Sequence, residues 1–200
     1  MKKLYRQISH FFARRTLKRN LLNRLAPRET VMFSDAHTIG VLFAAHHQSD
    51  IDTAHQYIQD LEKKGKQVSY IGLIDIKDYK KNHKDTSINP NYIFANDFDF
   101  FHRPKLAAIK SFYKQNFDML ISLNYSNQFS LNYISSLSRA KLRIGKFNTN
   151  AIAAFDFMID DKGDQMQTFI DQLNHYLQQL KNPDCELLIE YHLNSRYLQQ

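Results

Sequence analysis

Seven consecutive apolar residues, IGVLFAA at positions 39–45, constrain the fold of this chain more than any other feature. A strand with one face in water alternates apolar and polar residues, whereas an unbroken apolar run is typical of a strand buried on both faces of a parallel sheet. The next segment has helical periodicity, with Ser49 as the predicted N-cap and Gly65 as the predicted end. QVSYIGLID, at 67–75, then predicts a second strand and completes a βαβ unit.

The alternation of strands and helices continues to residue 180. Further strands are predicted at 92–94, 117–123, 141–147 and 155–160, and helices at 104–116 (with Pro104 in the first turn), 129–139 and 164–180. The polar stretch between the second and third strands is predicted to be a surface loop. This pattern predicts an α/β fold, a Rossmann-like three-layer sandwich with a mostly parallel sheet of about six strands, in the order 3-2-1-4-5-6.

The chain divides into three predicted parts. Residues 30–182 form the Rossmann-like domain, residues 1–29 a basic helical arm, and residues 183–200 a C-terminal tail that is either a last helix or an extension. The arm has no glycine, and its single proline is Pro27, so one basic N-terminal helix over residues 3–25 is predicted.

The net charge of the chain, +7, comes entirely from this arm. Residues 30–200 carry eighteen Lys and Arg against nineteen Asp and Glu, whereas residues 1–29 carry nine basic residues and one acid, Glu29. The nine basic residues are Lys2, Lys3, Arg6, Arg14, Arg15, Lys18, Arg19, Arg24 and Arg28. A negatively charged partner is therefore expected to bind the arm rather than the near-neutral body.

The composition of the arm favours a non-catalytic protein that contacts RNA, with ribosomal or ribosome-associated RNA as the leading candidate, because arginine forms forked contacts with phosphate. Three alternatives stay open. The same amphipathic arm can attach to an anionic membrane surface by inserting Leu4, Ile8, Phe11 and Phe12, or it can bind an acidic protein. Those apolar residues can also simply dock the helix onto the body.

A cytoplasmic location is predicted from two observations. Cys185 is the single cysteine and cannot form an intramolecular disulfide. The apolar run near the N-terminus, ISHFFA at 8–13, is too short for a signal-peptide core or for a membrane-spanning helix.

A ligand of an open α/β sheet would lie at the carboxyl ends of the strands, where the strand order reverses. The polar residues predicted to meet there are His46, His47, Ser49, Asp50, Asn124, Ser126 and Asn127. A small transferase-like enzyme is the alternative function at this crevice, with His47 as a base, Asp50 as its orienter and Asn124 nearby. The alternative is that Asp50 has a structural role only, because a negative charge in the first turn of a helix is stabilised by the helix dipole.

No cofactor and no metal are predicted at this crevice. The turn after the first strand, AAHHQSD, contains no glycine, and the phosphate-binding patterns GxGxxG and GxxxxGK[ST] do not occur in the sequence. His46 and His47 are adjacent, so on a strand end they point to opposite sides and cannot chelate one ion together.

Two further segments are unusual. NDFDFFHRPK, at 96–105, is either a loop clamped onto the core by its phenylalanines or an exposed aromatic patch for a partner. SRAKLRIGK, at 138–146, carries Arg139, Lys141, Arg143 and Lys146. The odd positions share one face of a strand, which predicts either a basic strip beside the arm or a solvated strand edge.

Four blocks of the sequence, KKGKQVSYIGLID, NDFDFFHRPK, FDMLISLN and LNYISSLSRAKLRIGK, together resemble an uncharacterised family of small Bacteroidetes proteins, a domain of unknown function. The resemblance covers about residues 38–180. It implies a cytoplasmic bacterial protein with a basic helical arm, and it supplies no activity.

More distantly, FDMLISL followed by LSRAKLRIGKF is similar to the N-terminal, acceptor-side Rossmann-like domain of heptosyltransferase-like GT-B glycosyltransferases. Asp50 stands where that family has its base, but Ser49 replaces the preceding glycine and the nucleotide-sugar domain is missing. This likeness implies the fold and argues against sugar transfer.

Overall fold

A computed structural model describes residues 31–82 and 89–179 of the chain. In these residues six strands form one sheet in which every neighbouring pair is parallel. The strands are β1 (Thr38–Ala45), β2 (Gln67–Ile74), β3 (Tyr92–Ile93), β4 (Met119–Leu123), β5 (Leu142–Lys146) and β6 (Phe157–Ile159). The predicted positions of all six strands are confirmed.

The strand order is β3-β2-β1-β4-β5-β6, which confirms the predicted order. The chain builds one half of the sheet outward from β1 through β2 to β3, and then returns to place β4 on the other side of β1. The order therefore reverses between β1 and β4, and the crevice of an open α/β sheet lies at this point.

Helices cover both faces of the sheet. Their bounds are α1 (Gln48–Lys63), α2 (Tyr79–Asn82), α3 (Leu106–Tyr113), α4 (Phe129–Leu137) and α5 (Met166–Gln179), with 3-10 turns at Ala95–Asp97 and Ile152–Ala154. One buried cluster joins α1 and α5 to the face of β1 that carries Val41 and Phe43. A second joins α3 and α4 to the opposite face, which carries Leu42 and Ala44. The predicted three-layer, Rossmann-like sandwich is confirmed.

Three local expectations need correction. Helix α1 begins at Gln48 with His47 at the N-cap position, so Ser49 lies inside the first turn rather than at the cap. Helix α3 begins two residues after Pro104. The polar stretch predicted as loop contains the short helix α2. Gly65 does follow the end of α1, with the positive φ of 79° that glycine adopts without strain.

The structure contradicts both alternatives for SRAKLRIGK, the basic strip and the solvated strand edge. Strand β5 is an interior strand between β4 and β6, and Arg143 is completely buried there. Its guanidinium donates to both carboxylate oxygens of Asp156, at 3.0 and 2.9 Å. Lys141 pairs with Asp118 at 3.2 Å and Lys146 with Asp161 at 3.4 Å. Each of these three cations is thus matched by a carboxylate.

The aromatic loop at 96–105 combines the two alternatives left by the sequence. Phe98 is half-buried and packs against the core cluster that contains α3, whereas 54% of Phe100 is exposed. Asp99 accepts from the Arg103 guanidinium at 2.6 Å, which ties the loop to itself. The loop is therefore clamped at Phe98 and open to solvent at Phe100.

The predicted arm, residues 1–29, and the predicted tail, residues 183–200, lie outside the described residues. Among the helices of the described ranges, none has both the length and the apolar character needed to cross a bilayer.

Candidate functional site

Three adjacent strands, β2, β1 and β4, end at the same edge of the sheet, and each is followed by a polar residue. His46 directly follows β1, Asp75 directly follows β2, and Ser126 lies three residues beyond β4. The amide of Asp75 donates to the carbonyl oxygen of Ala45 at 2.9 Å, which extends the pairing of β1 and β2 up to the site. The fold therefore places these three side chains at the point where the strand order reverses.

His46 contacts a potential partner with each of its ring nitrogens. Its Nε2 lies 3.0 Å from Ser126 Oγ, within hydrogen-bond distance. Its Nδ1 lies 3.5 Å from Asp75 Oδ2, which is the distance of an ion pair rather than of a short hydrogen bond. The exposed fractions of the His46 and Asp75 side chains are 27% and 67%. The site is therefore open to solvent on the Asp75 side.

Asp50 holds the turn between β1 and α1. Its Oδ2 accepts the amides of His46 and His47 at 2.8 and 3.0 Å, and the hydroxyl of Tyr125 at 3.2 Å. The contact with His47 is to the backbone and not to the ring, and the His47 side chain is exposed. Asp50 thus caps the start of α1. The expected arrangement of His47 as a base oriented by Asp50 is not formed.

Tyr125 connects the two sides of the crevice. Burial, followed by the negative charge of Asp50, raises the pKa of Tyr125 to about 12. The phenol therefore stays neutral and donates to Asp50 at physiological pH. Its ring meets the His46 imidazole edge to face, with centroids 6.2 Å apart, so it also limits the movement of that imidazole.

Asn124 fixes the turn that carries Ser126. It is buried, with 3% of its surface exposed. Its Oδ1 accepts the amide of Gln128 at 2.7 Å, and its Nδ2 donates to the carbonyl oxygen of Gln128 at 2.9 Å and to Asn132 Oδ1 at 3.0 Å. Asn127, beside Ser126, has a φ of +60°, which asparagine tolerates better than most residues. Asn124 is thus a structural residue rather than one that faces a ligand.

A second polar cluster lies away from this edge, between α1, β2 and β3. His55 Nε2 lies 2.7 Å from the Tyr92 hydroxyl, and the Asn89 amide donates to the Tyr70 hydroxyl at 2.6 Å. Burial, and then the neighbouring phenols of Tyr79 and Tyr70, raise the pKa of Tyr92 to about 12. The Tyr92 phenol is therefore a neutral hydrogen-bonding group. The rings of Tyr70 and Tyr92 pack against Phe43, so core packing accounts for the cluster.

Within residues 31–82 and 89–179, no group of three or more His, Cys, Asp or Glu side chains is arranged to hold a metal ion. The chemistry that the described crevice offers is therefore that of an imidazole between a hydroxyl and a carboxylate.

Comparison with known proteins identifies the family. The model of a family of unknown function, DUF6913, matches residues 10–180, most of the chain. The chain belongs to the DUF6913 family. The DUF6913 match covers the whole described sheet and also six of the nine basic residues of the arm. No curated protein and no solved structure matches the chain significantly.

The sequence placed His46 and Ser126 in the crevice but did not single them out, and it did not include Asp75. The available signal was that Asp75 directly follows an apolar strand predicted beside β1. Polar residues directly after adjacent parallel strands meet at one edge of the sheet, so the three could have been considered together.

Proposed function

We propose that this chain binds RNA through the cationic arm at residues 1–29. The distribution of charge carries the proposal. The described residues hold fifteen Lys and Arg and fifteen Asp and Glu, and are thus formally neutral, whereas residues 1–29 carry nine basic residues and one acidic residue. A polyanion is attracted where cationic charge is concentrated and unopposed.

The ion pairs of the described body support this assignment. Five of its cations contact carboxylates and are partly neutralised by them. These pairs are Lys63 with Asp60, Arg103 with Asp99, Lys141 with Asp118, Arg143 with Asp156 and Lys146 with Asp161. The body therefore offers little concentrated positive charge to compete with the arm.

The composition of the arm favours RNA over other anions. Six of its nine basic residues are arginines, whose planar guanidinium binds phosphate through two parallel hydrogen bonds. Asn20 and Asn23 add neutral donors to the same segment. Ribosomal or ribosome-associated RNA of the bacterial cytoplasm is the partner that we propose, since it is an abundant polyanion in that compartment.

The test compares two full-length variants that lose the same charge. The arm variant changes Arg14, Arg15, Lys18 and Arg19 to Gln. The body variant changes Lys77, Lys110, Lys114 and Lys162, four exposed residues, to Gln. Binding of a fluorescently labelled ribosomal RNA fragment is measured by anisotropy at about 0.1 M salt. We expect the arm variant to bind at least tenfold more weakly and the body variant to bind like the unmodified chain.

Vesicles of anionic lipid distinguish the membrane alternative, and Phe11→Ser with Phe12→Ser is the matched variant. Loss of vesicle binding with RNA binding retained supports RNA as the partner. If the unmodified chain binds vesicles tightly and RNA weakly, or if the arm and body variants bind RNA equally, the proposal is wrong.

A further inference from the structure

The crevice described above contains a chemical arrangement that RNA binding by the arm does not use. His46, Asp75 and Ser126 come from the ends of three neighbouring strands, and Ser126 is 80 residues from His46 along the chain. Their meeting is therefore a product of the fold and not of local sequence. They meet at the switch point, where open α/β sheets bind their ligands.

We propose that Ser126, His46 and Asp75 form a serine-nucleophile site that hydrolyses acyl esters. A serine hydroxyl is a weak nucleophile unless a base accepts its proton, and an imidazole within hydrogen-bond distance is the common base. The 3.0 Å separation of Ser126 Oγ and His46 Nε2 meets this requirement. This inference departs from the sequence-based expectation of a non-catalytic protein and is independent of the arm.

Asp75 is the positioning residue of this arrangement. A carboxylate beside Nδ1 favours the tautomer that carries its proton on Nδ1, which leaves the Nε2 lone pair directed at Ser126. It also stabilises the imidazolium that forms when His46 takes the serine proton. The separation of 3.5 Å is that of an ion pair, and catalytic contacts of this kind often shorten to hydrogen bonds when substrate binds.

The surrounding turns hold the reacting groups in place. Asp50 binds the backbone amide of His46, and Tyr125 packs against the imidazole. Asn124, at the start of the turn that carries Ser126, makes two hydrogen bonds with the backbone of Gln128 at its end. Helix α1 begins at Gln48, two residues after His46, so the turn that carries the imidazole is fixed to the start of this helix.

The reaction proceeds in two steps. Ser126 Oγ attacks the ester carbonyl carbon while His46 Nε2 accepts the hydroxyl proton. The bond between that carbon and the alkoxy oxygen then breaks, and the proton passes from His46 to the departing alcohol. Water adds to the acyl-serine with the same base, which releases the carboxylic acid and returns the proton to Ser126. One ester and one water give one acid and one alcohol, with no change in oxidation state.

A fluorophosphonate probe tests the nucleophile directly in the full-length protein. We expect one phosphonyl adduct per chain, mapped by peptide mass spectrometry to Ser126, with loss of fluoride. Ser126→Ala should remove the adduct, and His46→Gln should slow its formation by about 100-fold. Ser111→Ala, a change at an exposed serine on α3, is the matched control and should label like the unmodified chain.

The mapping on the unmodified chain decides the question even if a variant fails to fold. No adduct, or an adduct spread over several serines, overturns the proposal. Unchanged labelling in a folded His46→Gln protein overturns it too.

Hydrolysis of p-nitrophenyl butyrate tests the role of Asp75. We expect Asp75→Asn to lower kcat about tenfold with KM nearly unchanged, a modest loss because water screens the contact. Asp75→Glu should restore most of the lost kcat, since it keeps the charge. An unchanged kcat in Asp75→Asn, or an equal loss in both variants, overturns the assignment of Asp75.

Discussion

The polar side chains at the carboxyl edge of the sheet differ in how many hydrogen bonds they make within the protein. This number distinguishes the structural residues from those available to a ligand. Asp50 accepts from two amides and one hydroxyl, and the amide of Asn124 contacts Gln128 and Asn132, so both are occupied by the protein itself. Ser126 is exposed and contacts the imidazole of His46. An exposed hydroxyl beside an imidazole retains the capacity to react with a ligand, whereas a group held by several internal hydrogen bonds stabilises the turn that it occupies.

The buried ion pair of Arg143 and Asp156 leads to a prediction about stability. Arg143 and Asp156 have 1% and 5% of their side-chain surfaces exposed, so removing the cation takes away the guanidinium that balances the charge of a buried carboxylate. We expect Arg143→Ala to lower the free energy of unfolding by about 3–5 kcal/mol, measured by urea titration. Arg139→Ala, at an exposed arginine nearby, should change it by less than about 0.5 kcal/mol. Equal effects of the two substitutions would contradict this role.

A further prediction concerns the contribution of Asp118 to stability and its dependence on pH. Burial disfavours its charged form, but the amides of Thr38 and His37 and the ammonium of Lys141 outweigh burial and lower its pKa to about 2. An aspartate in an unfolded chain has a pKa of about 3.9. Because the folded-state pKa is the lower one, the stabilisation is present above about pH 4 and is lost as the pH falls to about 2.

The measurement for Asp118 is the urea midpoint between pH 7 and pH 2. We expect Asp118→Asn to be less stable than the unmodified chain by about 2 kcal/mol at pH 7, and the difference to disappear near pH 2. Asp35→Asn, at an exposed carboxylate, is the control and should follow the unmodified chain throughout. A difference that persists unchanged at pH 2 would show that the effect does not come from ionisation.

At the scale of elements, the pairing of β1 with β2 depends on a small residue opposite a large one. Phe43 on β1 is in register with Gly72 on β2, and a side chain at Gly72 would overlap the Phe43 ring. The ring is completely buried and belongs to the core cluster that contains α1 and α5. Glycine is therefore required here for the space that it leaves, and not for backbone freedom.

We expect Gly72→Ala to lower the free energy of unfolding by about 1–3 kcal/mol, because a close-packed core does not accept an added methyl group without displacement. Combining it with Phe43→Leu should cost less than the sum of the two single changes, since a smaller side chain relieves the overlap. Urea titration of the three variants measures this coupling. Strict additivity would contradict the proposed contact.

At the scale of the whole molecule, the sequence was sufficient for the fold and insufficient for the site. Strands such as β1 and β4 are buried on both faces, so they appear as unbroken apolar runs, and the alternation with helices led to the correct strand order. The burial of Arg143 was not predicted, because it depends on a partner thirteen residues later. The contact between His46 and Ser126 depends on a turn with a positive φ at Asn127, and no local pattern specifies it.

The molecule also divides by charge, since the described residues are formally neutral and the arm carries the excess. From this distribution of charge we can predict how the affinity for RNA depends on salt. If the arm neutralises six to eight phosphates, the affinity for RNA should fall with salt, with a slope of about −4 to −7 in a plot of log K against log salt concentration. Changing Arg14, Arg15, Lys18 and Arg19 to Gln should reduce the magnitude of that slope by about 3.

RNA binding by the arm is tested by the slope for the full-length chain with ribosomal RNA, measured from about 0.05 to 0.3 M potassium chloride. We expect a steep dependence in the unmodified chain and in the variant with Lys77, Lys110, Lys114 and Lys162 changed to Gln, and a shallow one in the arm variant. A flat dependence in the unmodified chain, or the same slope in both variants, would contradict the claim that the arm is the RNA-binding element.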